Sequence, residues 1–297
     1  MDWTSEKKGN AMKKDDKKND EDYFKKQKEK ILKQIEERMQ RDRSHLCCSI
    51  TGAAKVGKTG LAMDCRTKEE IAKGMKVLVI DFDDGAEPTW KTNWDDPNII
   101  VYCPTEKFVD GTVDWETTFN NGKDFCRLCK EYIAEGNVKA VILDGVDKCL
   151  EGSSDVLREH LVKQQQREGS IVLATDSVRV STLDWRIRNR VYNRQLDLVC
   201  DMKCDRFFIT HMKPIYDNIS VPTPIGEVPD WHKTTPAKFI QMIHITKKQT
   251  RDKKTNYVAR LEASKTNPSL VGKEWVIFTT NGDSEWFGVP ELREGTL

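Results

Sequence analysis

The stretch Gly52-Ala53-Ala54-Lys55-Val56-Gly57-Lys58-Thr59 combines residue types and spacing that point to one chemistry. It fits G-x-x-x-x-G-K-[ST]. Two glycines let a loop wrap with backbone N–H groups facing phosphate oxygens, and a helix that follows brings its positive dipole end to the same place. In such a cradle Gly52, Ala53, Ala54, Lys55, Val56, Gly57 and Gly60 surround the phosphates, and Lys58 reaches the β and γ groups. The Thr59 hydroxyl takes a place on Mg²⁺. The expected ligand is ATP with Mg²⁺.

Three further groups fit that chemistry. Asp144 ends the apolar run Val141-Ile142-Leu143-Asp144 and is placed to hold the metal's water shell, with Asp147 as a second candidate. A strand-end Asp that merely caps the next turn is the plainer alternative. Hydrolysis also needs a group that polarises water. Asp81-Phe82-Asp83-Asp84 closes another apolar run, and alternation puts Asp81 and Asp83 on one side of an extended chain. Asp83 is the candidate base and Asp81 a brace; a solvated acidic turn is the other reading. Thr210-His211 closes a third run. A His at the carboxyl edge of a sheet can touch the γ-phosphate and pass its loss to the segment that follows. The catalytic candidates are therefore Lys58, Asp83, Asp144 and His211, with Thr59 and Asp144 on the metal.

The elements that must hold these residues read as alternating strands and helices. Leu46–Ile50, Met75–Phe82, Asn98–Cys103, Val138–Asp144 and Arg206–His211 are short apolar runs without alternation, as strands buried on both faces are. Helix-like stretches cover Gly60–Lys73, Lys123–Glu135, Asp155–Glu168 and Asp184–Lys203. This predicts an α/β fold, a mainly parallel sheet flanked by helices. Lys213–Lys238 holds Pro214, Pro222, Pro224, Pro229 and Pro236 and is expected to be a loop. FIQMIHITKK and NYVARLEASK flank QTRDKKT, a C-terminal β-hairpin with a basic tip, and EWVIFTT is expected to end the sheet.

Composition bounds the rest. Residues 1–44 carry 14 Lys/Arg and 11 Asp/Glu. Residues 1–20 are expected to be a disordered charged leader, having nothing to bury. Residues 21–44 are expected to form a charged helix with a narrow apolar stripe of Tyr23, Phe24, Ile31, Leu32, Ile35 and Met39 that docks on the body or a neighbour, or stays solvated. Residues 45–297 form the core domain. Lys plus Arg is 49 against 48 Asp plus Glu, so the net charge of +1 excludes a globally basic nucleic-acid glove but not a local patch. No apolar run approaches the roughly 18–20 residues that span a bilayer, so no membrane partner is expected. The charged N-terminus is no secretory signal, and nine scattered cysteines read as reduced thiols of a cytoplasmic protein. Cys126-x-x-Cys129 and Cys200-x-x-x-Cys204 sit in predicted helices rather than tight turns, so they are read as small buried hydrophobes and zinc is not expected.

The order GAAKVGKT, VLVIDFDD, AVILDG, FFITH and a late hairpin resembles the core of the RecA/RadA superfamily of P-loop NTPases. More narrowly, it is similar to short, core-only phage recombinases of the Sak type, RecA-like ATPases that bind and anneal single-stranded DNA. The resemblance covers about residues 46–280. It implies an ATPase of recombination, a homo-oligomeric ring or filament, single-stranded DNA as partner and, for a viral protein, the host cytoplasm. RecA-like proteins carry D-x-E after the second strand; Asp83 here is one methylene shorter, which bears on turnover rather than binding. His211 matches the short phage relatives. Arg260 and Lys265 fall where related oligomers reach a neighbour's γ-phosphate.

DNA contact is implied between the fourth strand's helix and the hairpin. Arg179, Arg186, Arg188, Arg190 and Arg194 interleave with Trp185 and Tyr192, a mix that can neutralise phosphates and stack on bases. The plainer reading of the same stretch is an amphipathic helix with a solvated basic face and a core-facing Trp185. Lys213, Lys233 and Lys238 with Trp231, and the hairpin residues Lys247, Lys248, Arg251, Lys253 and Lys254, are the other candidates. Competing readings of the loop are a helicase loader, a genome-packaging motor, a small-molecule kinase and a non-hydrolysing nucleotide-binding scaffold.

Overall fold

A computed structural model of the chain describes residues 12–39, 45–167, 178, 180–217, 223–252, 254–280 and 285–297. It divides into two units, Met1–Ser44 and His45–Leu297. The first holds one helix, α1 (Met12–Met39). That helix starts inside the stretch expected to be a disordered leader. Its 28 residues contain neither Pro nor Gly and are rich in Lys and Glu, both good helix formers.

The second unit is built on a nine-stranded sheet. Its strands in chain order are β1 (Cys47–Gly52), β2 (Lys76–Asp81), β3 (Ile99–Tyr102), β4 (Val138–Asp144), β5 (Asp205–Thr210), β8 (Gln241–Gln249), β9 (Thr255–Ser264), β10 (Glu274–Thr280) and β11 (Glu285–Trp286). The spatial order is β11-β10-β9-β8-β1-β5-β4-β2-β3. From β3 to β8 all neighbours are parallel; β8 to β11 are antiparallel. The fold is thus mixed α/β with a large, mostly parallel central sheet. The helices are α2 (Lys58–Met63), α3 (Lys68–Ala72), α4 (Ala86–Asn93), α5 (Trp115–Ala134), α6 (Val146–Arg167), α7 (Trp185–Cys200) and α8 (Pro290–Glu294).

The absence of alternation in the strands follows from burial on both faces. Cys48, Ile50, Val77, Val79, Ile142 and Ile209 pack with Leu61 and Met63 of α2 and Leu292 of α8. Their neighbours Cys47, Leu78, Ile80, Leu143 and Phe208 pack with Phe125 of α5, Cys149 of α6 and Leu196 of α7. Each such side chain contributes roughly 1.5–3 kcal/mol by leaving water, so a polar residue in either register would be costly. α6 approaches α5 at Gly152, where an added Cβ would lie 2.3 Å from the Trp115 ring.

Several boundaries differ from expectation. Gly60–Lys73 is two helices, because Thr67 accepts from the Glu70 backbone and Glu70 answers the Thr67 backbone, a capping box that starts α3 afresh. α5 and α6 begin earlier, at Trp115 and Val146; the Asp114 carboxylate accepts from Thr117 N at 3.0 Å to cap α5. α4 has no counterpart among the expected helices; Asp81 starts it by accepting from Ala86 N. The 213–238 stretch is not all loop: β6 (Met212–Tyr216) and β7 (Pro224–Pro229) pair as a separate two-stranded sheet, and Thr235–Lys238 forms a 3₁₀ turn. Prolines are tolerated there because both strands are edges. Strand β10 does not end the large sheet, since β11 adds to it. Among the described residues no helix is long and apolar enough to cross a membrane.

Register decides what meets at the carboxyl edge. Thr51 of β1 is level with Thr210 of β5, Ile209 with Asp144 of β4, and Asp144 with Asp81 of β2. Four strands therefore deliver their ends to one line.

Candidate functional site

The Gly52–Thr59 loop leaves β1 at that line and enters α2. Gly52 has φ 153°, and a Cβ there would come within 2.6 Å of the Ile245 carbonyl oxygen on neighbouring β8. Gly57 is left-handed at φ 87° and immediately precedes α2. Both glycines are thus required by the path of the backbone. Lys58 is buried and folds back across the loop, with Nζ donating to Gly52 O at 3.1 Å and Ala53 O at 2.8 Å. Burial pulls its pKa down, opposed by the Asp144, Asp147 and Asp83 carboxylates.

Thr59 Oγ1 donates to Asp144 Oδ2 at 2.6 Å, joining the two residues expected to share a metal. Burial pushes the Asp144 carboxyl up to about 7; Thr59 opposes that, and the Asp81 and Asp83 charges add to it. Asp81 is a brace. Its Oδ1 accepts from Asp83 N at 3.1 Å and its Oδ2 from Ala86 N at 2.7 Å, which shapes the 82–85 turn and starts α4. Burial raises its pKa as well. Asp83 is left half-exposed at the edge.

Asp147 holds His211. Its Oδ1 accepts from His211 N and from Thr210 Oγ1, each at 3.3 Å, and its Oδ2 lies 3.1 Å from His211 Nδ1. The other ring nitrogen, Nε2, faces Asp83 Oδ2 at 3.9 Å. The Asp147 hydrogen bond raises the His211 pKa, against desolvation and the Lys58 charge. For Asp147, burial pushes up but the His211 contacts outweigh it and hold the carboxyl low. β5 is what makes this possible: it lies between β1 and β4, so His211 ends between the loop and the acid strand. Past His211 the chain enters β6, and Asp230 at the end of β7 returns to it: Asp230 N donates to His211 O at 2.8 Å and Thr210 Oγ1 donates to Asp230 O at 3.0 Å.

His244 escaped the sequence reading. Its Nδ1 lies 2.9 Å from Thr51 Oγ1, one residue before the loop. Burial lowers its pKa, Glu262 and Glu227 oppose this, and Lys58 adds to it. Its place beside the loop depends on β8 pairing with β1, which the local pattern around it does not encode.

The remaining candidates are dispersed. Arg260 is level with His244 on β9, its Nε 3.6 Å from Glu262 Oε1. Lys265 lies at the opposite edge, its N–H donating to Ile240 O beside the start of β1. On α7, Arg186 is exposed, and Arg188 stacks 4.4 Å over Trp185 and donates to the Asn189 side chain. At the β8–β9 tip Lys248 pairs with Glu274 at 2.5 Å, Lys247 lies over the Tyr257 ring at 5.6 Å, and Arg251 and Lys254 are exposed. Arg179 and Lys253 lie outside the described residues. Cys126, Cys129 and Cys204 are buried among apolar side chains. Cys200 is the last residue of α7 and half-buried, and Cys204 lies beyond that helix, just ahead of β5. Among the described residues no group of three or more His, Cys, Asp or Glu surrounds a metal position. That bears on a protein-only cage, not on Mg²⁺, which takes one or two carboxylates and completes its shell with water and phosphate oxygens.

No protein-family model matches the chain, and no curated protein matches its sequence.

Proposed function

We propose that the chain binds ATP with Mg²⁺ at the Gly52–Thr59 loop and hydrolyses it. The observation that carries this reading is the convergence of a glycine-shaped loop, a buried lysine folded across it and a Thr59–Asp144 pair. Lys58 exchanges two carbonyl partners for phosphate oxygens, which are stronger, charge-assisted acceptors. Thr59 and Asp144 fit Mg²⁺: a hard cation suits a hydroxyl and a carboxylate, and it would relieve the burden on a buried Asp144 crowded by Asp81 and Asp83. The metal, when bound, supplies Lewis-acid stabilisation of charge on the phosphoryl oxygens. Asp83, half-exposed and shaped by Asp81, orients the attacking water. His211, held by Asp147, reports the γ-phosphate to β6–β7, because Asp230 binds its backbone.

The RecA-like reading adds single-stranded DNA as partner in recombination or annealing, through Arg186, Arg188 and the β8–β9 tip, and assembly into a ring or filament. Support comes from the β8–β9 hairpin, which continues the central sheet directly from β1, and from the Arg188–Trp185 stack near the start of α7. A phosphotransferase with a small acceptor is the second reading. It is favoured by a cleft of about 550 Å³ lined by Phe82, Trp115, Lys148, Glu151 and Arg158, next in sequence to Asp83.

ATP turnover with and without single-stranded DNA, at fixed low salt, separates these readings. Several-fold stimulation by DNA supports the first, and DNA-independent turnover supports the second. Lys58→Ala should abolish ATP binding; unchanged binding removes the loop from both.

A further inference from the structure

We propose that His244 is a positioning residue of the phosphate loop: through the Thr51 hydroxyl it fixes the strand end from which the loop departs, so that nucleotide affinity depends on a side chain of another strand. This rests on the ATP-binding reading of the Gly52–Thr59 loop. β1 and β8 run parallel, with Thr51 level with His244 and Gly52 level with Ile245. Thr51 is buried, and its hydroxyl has two partners, His244 Nδ1 at 2.9 Å and Ile243 O at 3.3 Å. A hydroxyl has one proton and a carbonyl oxygen can only accept. Both contacts are therefore made at once when Thr51 donates to Ile243 O and His244 Nδ1 donates to Thr51 Oγ1. The two partners are adjacent residues of β8, so they clamp the end of β1 to that strand. On the other side Thr210 is level with Thr51, but its hydroxyl is bonded to Asp147 and Asp230.

The clamp sits where the loop has least freedom. Gly52 follows Thr51 with φ 153°, and a Cβ there would lie 2.6 Å from the carbonyl oxygen of Ile245, one residue past His244. Gly52 O and Ala53 O accept from Lys58 Nζ at 3.1 Å and 2.8 Å. The contacts thus run without a break from the His244 ring to the Thr51 hydroxyl, the Gly52 carbonyl and the Lys58 ammonium. A shift of Thr51 against β8 moves the first turn of the loop and the group that holds the phosphate-binding lysine. A displacement of this kind near a charged ligand costs affinity even where the fold survives, because the donors must converge on one point. Burial keeps the His244 pKa below its ordinary value, against the Glu262 and Glu227 charges, so the ring is neutral at pH 7 and does not repel Lys58.

The test measures the affinity of the full-length protein for a fluorescent ATP analogue with Mg²⁺, alongside Tm, in His244→Ala, His244→Asn, His244→Gln and Thr51→Val. Asn branches at Cγ as His does and offers its amide N–H where Nδ1 stands, whereas Gln offers its amide at the Nε2 end. The expected result is that the Ala and Gln variants bind about fivefold more weakly, while the Asn variant stays within about twofold of wild type. Adding His244→Ala to Thr51→Val should weaken binding no further, because the two side chains act as one unit. Unchanged affinity in His244→Ala, equal losses in the Asn and Gln variants, or additive losses in the double variant overturn the proposal. A lowered Tm with unchanged affinity overturns it as well, since it leaves His244 with a purely structural role. Wild-type binding that Lys58→Ala abolishes keeps the loop reading in either case; a wild-type protein that binds no MgATP overturns both. Should His244→Ala not fold, the contrast between Asn and Gln decides.

Discussion

Removing the carboxylate that holds His211 tests the link between the site and the segment that follows it. In Asp147→Ala three contacts go: those from His211 N and Thr210 Oγ1, and the ring contact at 3.1 Å. Thr210 keeps Asp230 O as an acceptor. The His211 N–H is left without its acceptor, and the ring loses its charged partner. An orphaned buried donor costs about 1–3 kcal/mol and a hydrogen bond to a charged group contributes about 1.5–3 kcal/mol, so the expected loss is roughly 2–4 kcal/mol. For a body of this size that is a fall in Tm of order 10 °C.

The loss should depend on pH. His211 titrates above its ordinary 6.5 in the folded state, so its contribution is fully present below 6.5 and vanishes as pH rises through the folded value. Asp147 titrates below its ordinary 3.8, so its share is present above that and lost in acid. The gap between wild type and variant should thus be widest near pH 5–6 and narrower at pH 9. Thermal unfolding at both pH values measures it, and NMR titration should show His211 moving down toward 6.5 in the variant. A His211 titration unchanged by Asp147→Ala, or a Tm gap equal at both pH values, refutes the pairing as the source of the stability.

Asp83→Asn should keep nucleotide affinity and lose hydrolysis, by a factor of about 10²–10⁴, since a water-orienting base acts only in the transition state; surviving turnover places the base elsewhere. Asp144→Asn should stabilise the metal-free protein at pH 8, where a carboxylate that titrates near 7 instead of 3.8 is charged at a cost of up to about 4 kcal/mol, while abolishing Mg²⁺-dependent nucleotide binding. Because that folded pKa is raised, the gain should shrink as pH falls from 7 to 4; equal gain at both pH values removes Asp144 as the strained group. Neutralising Lys247, Lys248, Arg251, Lys253 and Lys254 together should weaken single-strand binding and flatten its salt dependence. Lys248, paired with Glu274, should contribute less than Arg251 when each is changed singly.

The local elements were legible from residue order alone. The Gly52–Thr59 pattern, the five apolar runs and the hairpin around QTRDKKT all depend on neighbours a few residues apart, and their strands appear within two residues of the expected places. The N-terminal edges of α5 and α6 were harder to see. Each helix begins with residues whose partners lie elsewhere: Trp115 against Gly152, and Val146 in one buried cluster with Phe82 and Leu143. β6 and β7 were hidden by their prolines, which argue against a strand unless it is known to be an edge.

Residue order specifies the loop, the candidate acids and the alternation of strand with helix, because backbone conformation and one-element burial are set over short spans. Tertiary structure alone decided which ends meet. Placing β5 between β1 and β4 put His211 within reach of Asp147 and Asp83. The physical reason is that strand order in a buried parallel sheet is chosen by long-range packing on both faces. Runs such as VLVI and VILD are nearly interchangeable in their local preferences, and only the assembled core distinguishes them.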